Sequence, residues 1–152
     1  MKMLMLAAAL ATSFSAAAEW IYDKDVDLMT DRDTSVVIAL GEPRGAVVVR
    51  CDGKDGYDVY FNFDDYLGNK SNNIALRFDQ GEVKVLQAES GTGGDSRFLR
   101  NEDSAVVIKQ IKDSKRLVVR GTDYKNVPNT FVVNLSGFSE QASKLGCLNG
   151  IL

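Results

Sequence analysis

The chain has 152 residues, 26% of them charged and 45% hydrophobic, with a formal net charge of −3. A mildly acidic chain gains little from counterion release, which argues against nucleic acid as a partner. Histidine is absent, so Ser-His-Asp and Cys-His nucleophilic sites and histidine-based zinc or copper ligation are excluded together.

The elements begin with a leader. Lys2, the apolar run Met3 to Ala11 and the small residues Ala16-Ala17-Ala18 before Glu19 have the three-part plan of a secretory signal peptide. The apolar core falls well short of the ~20 residues that span a bilayer. No cysteine follows it to carry a lipid. Residues 1–18 are expected to be removed by cleavage after Ala18, leaving one domain over 19–152 that is periplasmic or secreted and has no transmembrane segment. Losing Lys2 takes the formal charge from −3 to −4. The two cysteines, Cys51 and Cys147, are an even count in an oxidising compartment, which argues for a disulfide. Closing a loop of about a hundred residues is worth ~4–5 kcal/mol in the chain-entropy model. Two buried free thiols are the alternative.

The segment "DKDVDLMTDRD" at 23–33 follows, with five aspartates in a D-x-D-x-D rhythm. As a calcium loop it fails at two demanding places: Leu28 stands where a glycine should turn the chain, and Thr34 where a bidentate glutamate should close the site. Aspartates commonly serve turns, and the segment reads as a polar entry into a strand, with no metal bound. Thr34–Leu40 is that strand, ended by "GEPRG". "AVVVRC" places Val47, Val49 and Cys51 on one face with Val48 and Arg50 on the other. "YDVYFNF" points Tyr57, Val59, Phe61 and Phe63 inward and Asp58, Tyr60 and Asn62 outward. The glycine-bearing "DGKDG" between these runs predicts a hairpin.

Two more strands are predicted in "NNIALRFD" and "EVKVLQA", and "ESGTGGDS" at 89–96 is expected to be a mobile loop. "SAVVIKQIK" at 104–112 fits an amphipathic helix through Ser104, Val107, Ile108 and Ile111, with Asp103 as a cap. "KRLVVRG" and "TFVVNL" are further strands, and Ser136 caps a last short helix with Phe138, Ala142 and Leu145 on one face. The expected fold is mainly β: a single-domain sandwich or partly open barrel with two short helices and one long-range disulfide.

Trp20, "DLMTD" at 27–31, "VVVRC" at 47–51, "YDVYFNFDDYLG" at 57–68, "IALRFD" at 74–79, "KRLVVRG" at 115–121, "TFVVNLSGF" at 130–138 and a terminal cysteine occur in that order. This order resembles the type VI secretion-associated VasI/TagO-like family of exported bacterial proteins. The resemblance implies that Cys51 and Cys147 are the family's paired cysteines and that "DLMTD" is a structural lead-in. It also implies a non-enzymatic accessory role. The glycine-rich 89–96 segment departs from the more ordered polar stretch expected there.

Little catalytic chemistry is visible. "GTGG" at 91–94 lacks both the P-loop pattern and the full dinucleotide-binding glycine spacing, so no cofactor is expected. Asp64 and Asp65 point in opposite directions on an extended chain, so a carboxylate hydrolase would need a distant partner such as Asp79 or Glu102. Arg50, Arg77 and Arg120 each face away from the apolar side of their strands, as Tyr60 does. If those strands are neighbours, the four form one basic and aromatic surface for a protein partner. The reading that follows is an exported accessory protein binding an envelope or secretion-machinery protein. A second reading is an inhibitor of a cell-wall hydrolase that inserts the 89–96 loop; the carboxylate hydrolase is the least favoured.

Overall fold

The computed structural model describes residues 20–53, 56–70 and 72–152. The leader and the cleavage point after Ala18 lie outside the described residues. Trp20, two positions beyond that point, is already buried and packs on Phe138 with ring centroids 4.8 Å apart.

Alternating apolar runs fold into nine strands of one antiparallel sheet: β1 (Ile21–Asp23), β4 (Val36–Leu40), β5 (Ala46–Cys51), β6 (Tyr57–Asn62), β7 (Asn72–Phe78), β8 (Lys84–Ser90), β9 (Ser96–Leu99), β10 (Arg116–Thr122) and β11 (Pro128–Asn134). Their order across the sheet is β1-β4-β5-β6-β9-β8-β7-β10-β11. β2 (Val26–Asp27) and β3 (Arg32–Asp33) form a separate small ribbon. Pro128, lacking an amide donor, opens the edge strand β11, a position where no ladder bond is lost.

The sheet curls until its far side meets its near side. Glu42, just past β4, exchanges two backbone hydrogen bonds of 2.9 Å with Val132 of β11. Two glycines permit this approach. A Cβ on Gly41 would strike the ring of Phe131, and one on Gly45, at φ +133°, would lie 2.5 Å from Phe131 Cδ1. The result is a partly closed, mainly β body, as the alternation suggested.

The concave face holds the core: Val37, Val49, Phe61, Phe63, Leu76, Val119 and Phe131 are all buried. α1 (Asn101–Asp113) covers it with Ser104, Val107, Ile108 and Ile111, the face that the 3.6-residue period selected. Asp103 does not cap it. Arg100 is the N-cap residue, and the Ser104 hydroxyl donates back to the Arg100 carbonyl at 3.1 Å. α2 (Phe138–Ala142) buries Phe138 and Ala142 as expected, but its cap is Gly137 at φ 88°, not Ser136. A 3₁₀ turn (Gly146–Leu148) follows, where Cys147 bonds Cys51 at the end of β5, with a Cα–Cα distance of 5.7 Å.

The 89–96 segment is a second correction. Ser90 ends β8 and Ser96 begins β9, and the residues between make a turn rather than a loose loop. Gly91 N donates to Ser96 O and Gly94 N to Gly91 O, while Gly94 O accepts from Leu67 N and Asp95 O from Phe63 N. Gly94, at φ 73°, leaves no room for a side chain against Tyr66. The turn is bonded along the 63–70 segment through Gly94 and Asp95, with Thr92 and Gly93 exposed at its tip.

Candidate functional site

The four residues expected to share a surface fall into two pairs. Arg50 and Tyr60 lie on the neighbouring strands β5 and β6, whereas Arg77 and Arg120 lie on β7 and β10. β9 and β8 stand between β6 and β7. At about 4.8 Å per strand the pairs are separated by more than 10 Å along a curved sheet. The expectation of one continuous surface failed because strand order, which decides adjacency, is not carried by the alternation within each strand.

Each arginine also has its own local engagement. Arg50 pairs with Asp58 across the strands at 2.6 Å, and its guanidinium lies 5.8 Å from the Tyr60 ring centroid. Arg77 instead closes its own turn, donating through Nε to Gly81 O at 2.9 Å. Asp79 accepts from the backbone amides of Lys115 and Arg116. Arg120 donates to the Thr130 hydroxyl at 3.0 Å.

What surrounds Arg50 and Tyr60 was not anticipated. The ladder places Ile21 opposite Ile38, Ile38 opposite Val48, Val48 opposite Tyr60, and Tyr60 opposite Phe98. Five strands thus contribute one apolar and aromatic row to the convex face. Tyr60 and Phe98 stack at 4.4 Å with 22° between their planes. Val48, although it points away from the core, is only 4% exposed in this row. Burial pushes the Tyr60 phenol above its ordinary range; Arg50 opposes that shift, and Asp58 and Asp95 add to it. Beside the row, Arg50, Asp58, Glu89, Phe98, Arg100 and Glu102 line a cleft of about 860 Å³. The other half of the convex face carries Asn73, Arg77, Gln87, Arg120 and Thr130, interleaved with Val85 and Val118. Phe98 carries no sequence signal of its own: the expected loop ends at Ser96, and the three residues left before Arg100 are too few to show an alternation.

A second residue missed in the same way is Arg97. It is 0% exposed and points into the core side of β9. Nε donates to Asn72 Oδ1 at 2.9 Å, Nη1 to Ser96 O at 2.9 Å and Ser90 Oγ at 3.2 Å, and Nη2 to Gly68 O at 3.1 Å. Burial lowers its pKa while Asp95 works against that. A guanidinium stays charged under such conditions, so the site is a structural cation knitting three segments together.

Asp64 and Asp65 do not meet Asp79, while Glu102 lies in the cleft with Asp58 and Glu89. Asp65 Oδ2 accepts from Asn129 and its Oδ1 from the Tyr66 amide. Asp64 and Asp65 follow the end of β6, at the same end of the sheet as the start of β7, while Asp79 follows the opposite end of β7. Seven residues of strand at about 3.3 Å each separate those ends by roughly 20 Å, beyond the reach of a glycosidase pair. In the 23–33 cluster, Asp27 Oδ1 accepts from the amides of Met29 and Thr30, Asp33 Oδ1 from Ser35 N, and Asp25 Oδ2 from the Thr34 hydroxyl. These are turn bonds, and the described residues hold no His/Cys/Asp/Glu group suited to a metal ion. Among the described residues no helix is long and apolar enough to cross a membrane.

No family model matches the chain, and no curated protein does. Among solved structures, the crystal structure of invasion associated protein B from Bartonella henselae is similar: TM-score 0.54 and 14% identity, covering 86% of this chain and 94% of that one. At that identity the likeness is one of fold.

Proposed function

We propose that this chain is an exported, non-enzymatic accessory protein that binds another protein of the cell envelope through the convex face of β1-β4-β5-β6-β9. The in-register row from Ile21 to Phe98 carries the reading. A sheet already packed on its concave side has no folding requirement for a second apolar row outside, and such a row bordered by polar residues is how interaction surfaces are built. The stacked Tyr60 and Phe98, with Arg50 alongside, are the residue types that dominate binding energy at interfaces. The leader and the long-range disulfide suit an oxidising compartment, and a fold neighbour named for association with invasion fits such a setting. The motif order supports a place beside the type VI secretion-associated VasI/TagO-like proteins. The absence of histidine supports a role without catalysis.

The test uses the processed protein immobilised against an envelope extract, followed by affinity measurement with the captured protein. Tyr60→Ser with Phe98→Ser should weaken binding at least about tenfold, the loss of one hot-spot contact. Arg77→Glu with Arg120→Glu, on the other half of the sheet, should leave it unchanged. Were the second pair to abolish binding and the first to spare it, the surface would be wrongly placed.

A further inference from the structure

The ribbon β2-β3 stands outside the main sheet, and its turn carries Leu28 and Met29 side by side, each 92% exposed. Single exposed apolar residues are ordinary, but an adjacent pair this fully in water forgoes nearly all the burial its side chains could gain. The backbone beneath them is not loose. Asp27 Oδ1 accepts from Met29 N at 2.8 Å and Thr30 N at 3.2 Å, and Asp31 N donates to Asp27 O at 2.8 Å.

The ribbon's base is stitched to the body as well. Asp25 N and Ser35 Oγ are joined at 3.2 Å, Ser35 O accepts from Cys51 N, and Asp33 O accepts from Gly53 N. Cys51 is in turn bonded to Cys147. The two side chains are thus offered on a preformed support, which lowers the ordering cost of docking.

Charge says what they dock into. Asp23, Asp25, Asp27, Asp31 and Asp33 frame the tip against Lys24 and Arg32 alone, and Arg32 already pairs with Asp52 at 3.4 Å. An anionic frame is repelled by anionic lipid and attracted by lysine and arginine. We infer that Leu28 and Met29 are an anchor that inserts into an apolar pocket rimmed by lysine or arginine on a partner protein. This surface is distinct from the convex row, and either assignment stands if the other fails.

The experiment places a photo-crosslinker in the full exported chain as Met29→p-benzoyl-phenylalanine, with Val106→p-benzoyl-phenylalanine on the exposed side of α1 as control. The expected result is an adduct from position 29 alone, whose partner peptide maps to an apolar site edged by basic residues. Unlabelled protein should compete for that adduct at least about tenfold better than Leu28→Ser/Met29→Ser, and raising salt should reduce its yield. The serine pair touches no core residue, so its melting temperature should match the parent's and folding will not confound the result. Four results overturn the inference: no adduct; equal adducts from both positions; an adduct with a second copy of this chain; or sedimentation with phosphatidylcholine or phosphatidylglycerol vesicles that depends on Leu28 and Met29.

Discussion

Arg97 is the residue whose loss should be felt most. Its buried guanidinium donates to the carbonyls of Gly68 and Ser96 and to the side chains of Asn72 and Ser90. Arg97→Leu keeps the bulk but takes the donor from uncharged acceptors, Asn72 Oδ1 and the Ser96 carbonyl above all, and each buried acceptor left unmet costs about 1–3 kcal/mol. Arg97→Lys keeps the charge but not the planar fork, so it should recover only part. Urea denaturation of the two variants tests this, and a leucine variant within about 1 kcal/mol of the parent would show that the network carries no stability. A signal for Arg97 did exist in the sequence: it is in phase with Leu99, an apolar inward residue, two positions on. Gly91, Gly93 and Gly94 hid it by marking the neighbourhood as loop, although they make the turn that starts β9.

At the level of elements, the sequence was most informative where one face meets the core and least where two segments meet. The inward sets of β5, β6, β7 and α1 followed from periods of two and 3.6, because burial on one side alone imposes them. Helix ends were misplaced by a few residues, since Asp103 and Ser136 suit a cap in composition while the chain turned at Arg100 and Gly137 instead. The "GEPRG" turn was visible, but its second purpose was not. Gly41 and Gly45 make the floor on which Phe131 lies when the sheet curls round. Gly45→Ala is therefore expected to cost about 2–4 kcal/mol, combining an unfavourable positive φ with a ring that must move. Equilibrium denaturation measures it; a change under about 0.5 kcal/mol would mean that Phe131 yields freely and the closure is not tightly packed. Gly53, with nothing near its Cβ position, is the control for φ alone.

For the whole molecule, strand order lay beyond the sequence. Nothing local says that β9 slips between β6 and β8, and that insertion is what divides Arg50 and Tyr60 from Arg77 and Arg120. The Cys51–Cys147 bond was legible from count and compartment, and its sequence separation of 96 puts the loss on Cys51→Ala/Cys147→Ala at about 4–5 kcal/mol. Unfolding of that variant beside the parent checks it; equal stability would imply that the open chain is already held compact by other means. The same bond redirects mechanical load. Tension applied between the two ends passes from β5 straight into the last turn, so only the edge strand β1, then β4 and β5 behind it, can peel. Everything from β6 to α2 is bypassed and gains no length until the sulfurs part, when roughly 30 nm of hidden chain would be released. A protein so wired behaves under traction as a short tether with a rigid knot in it.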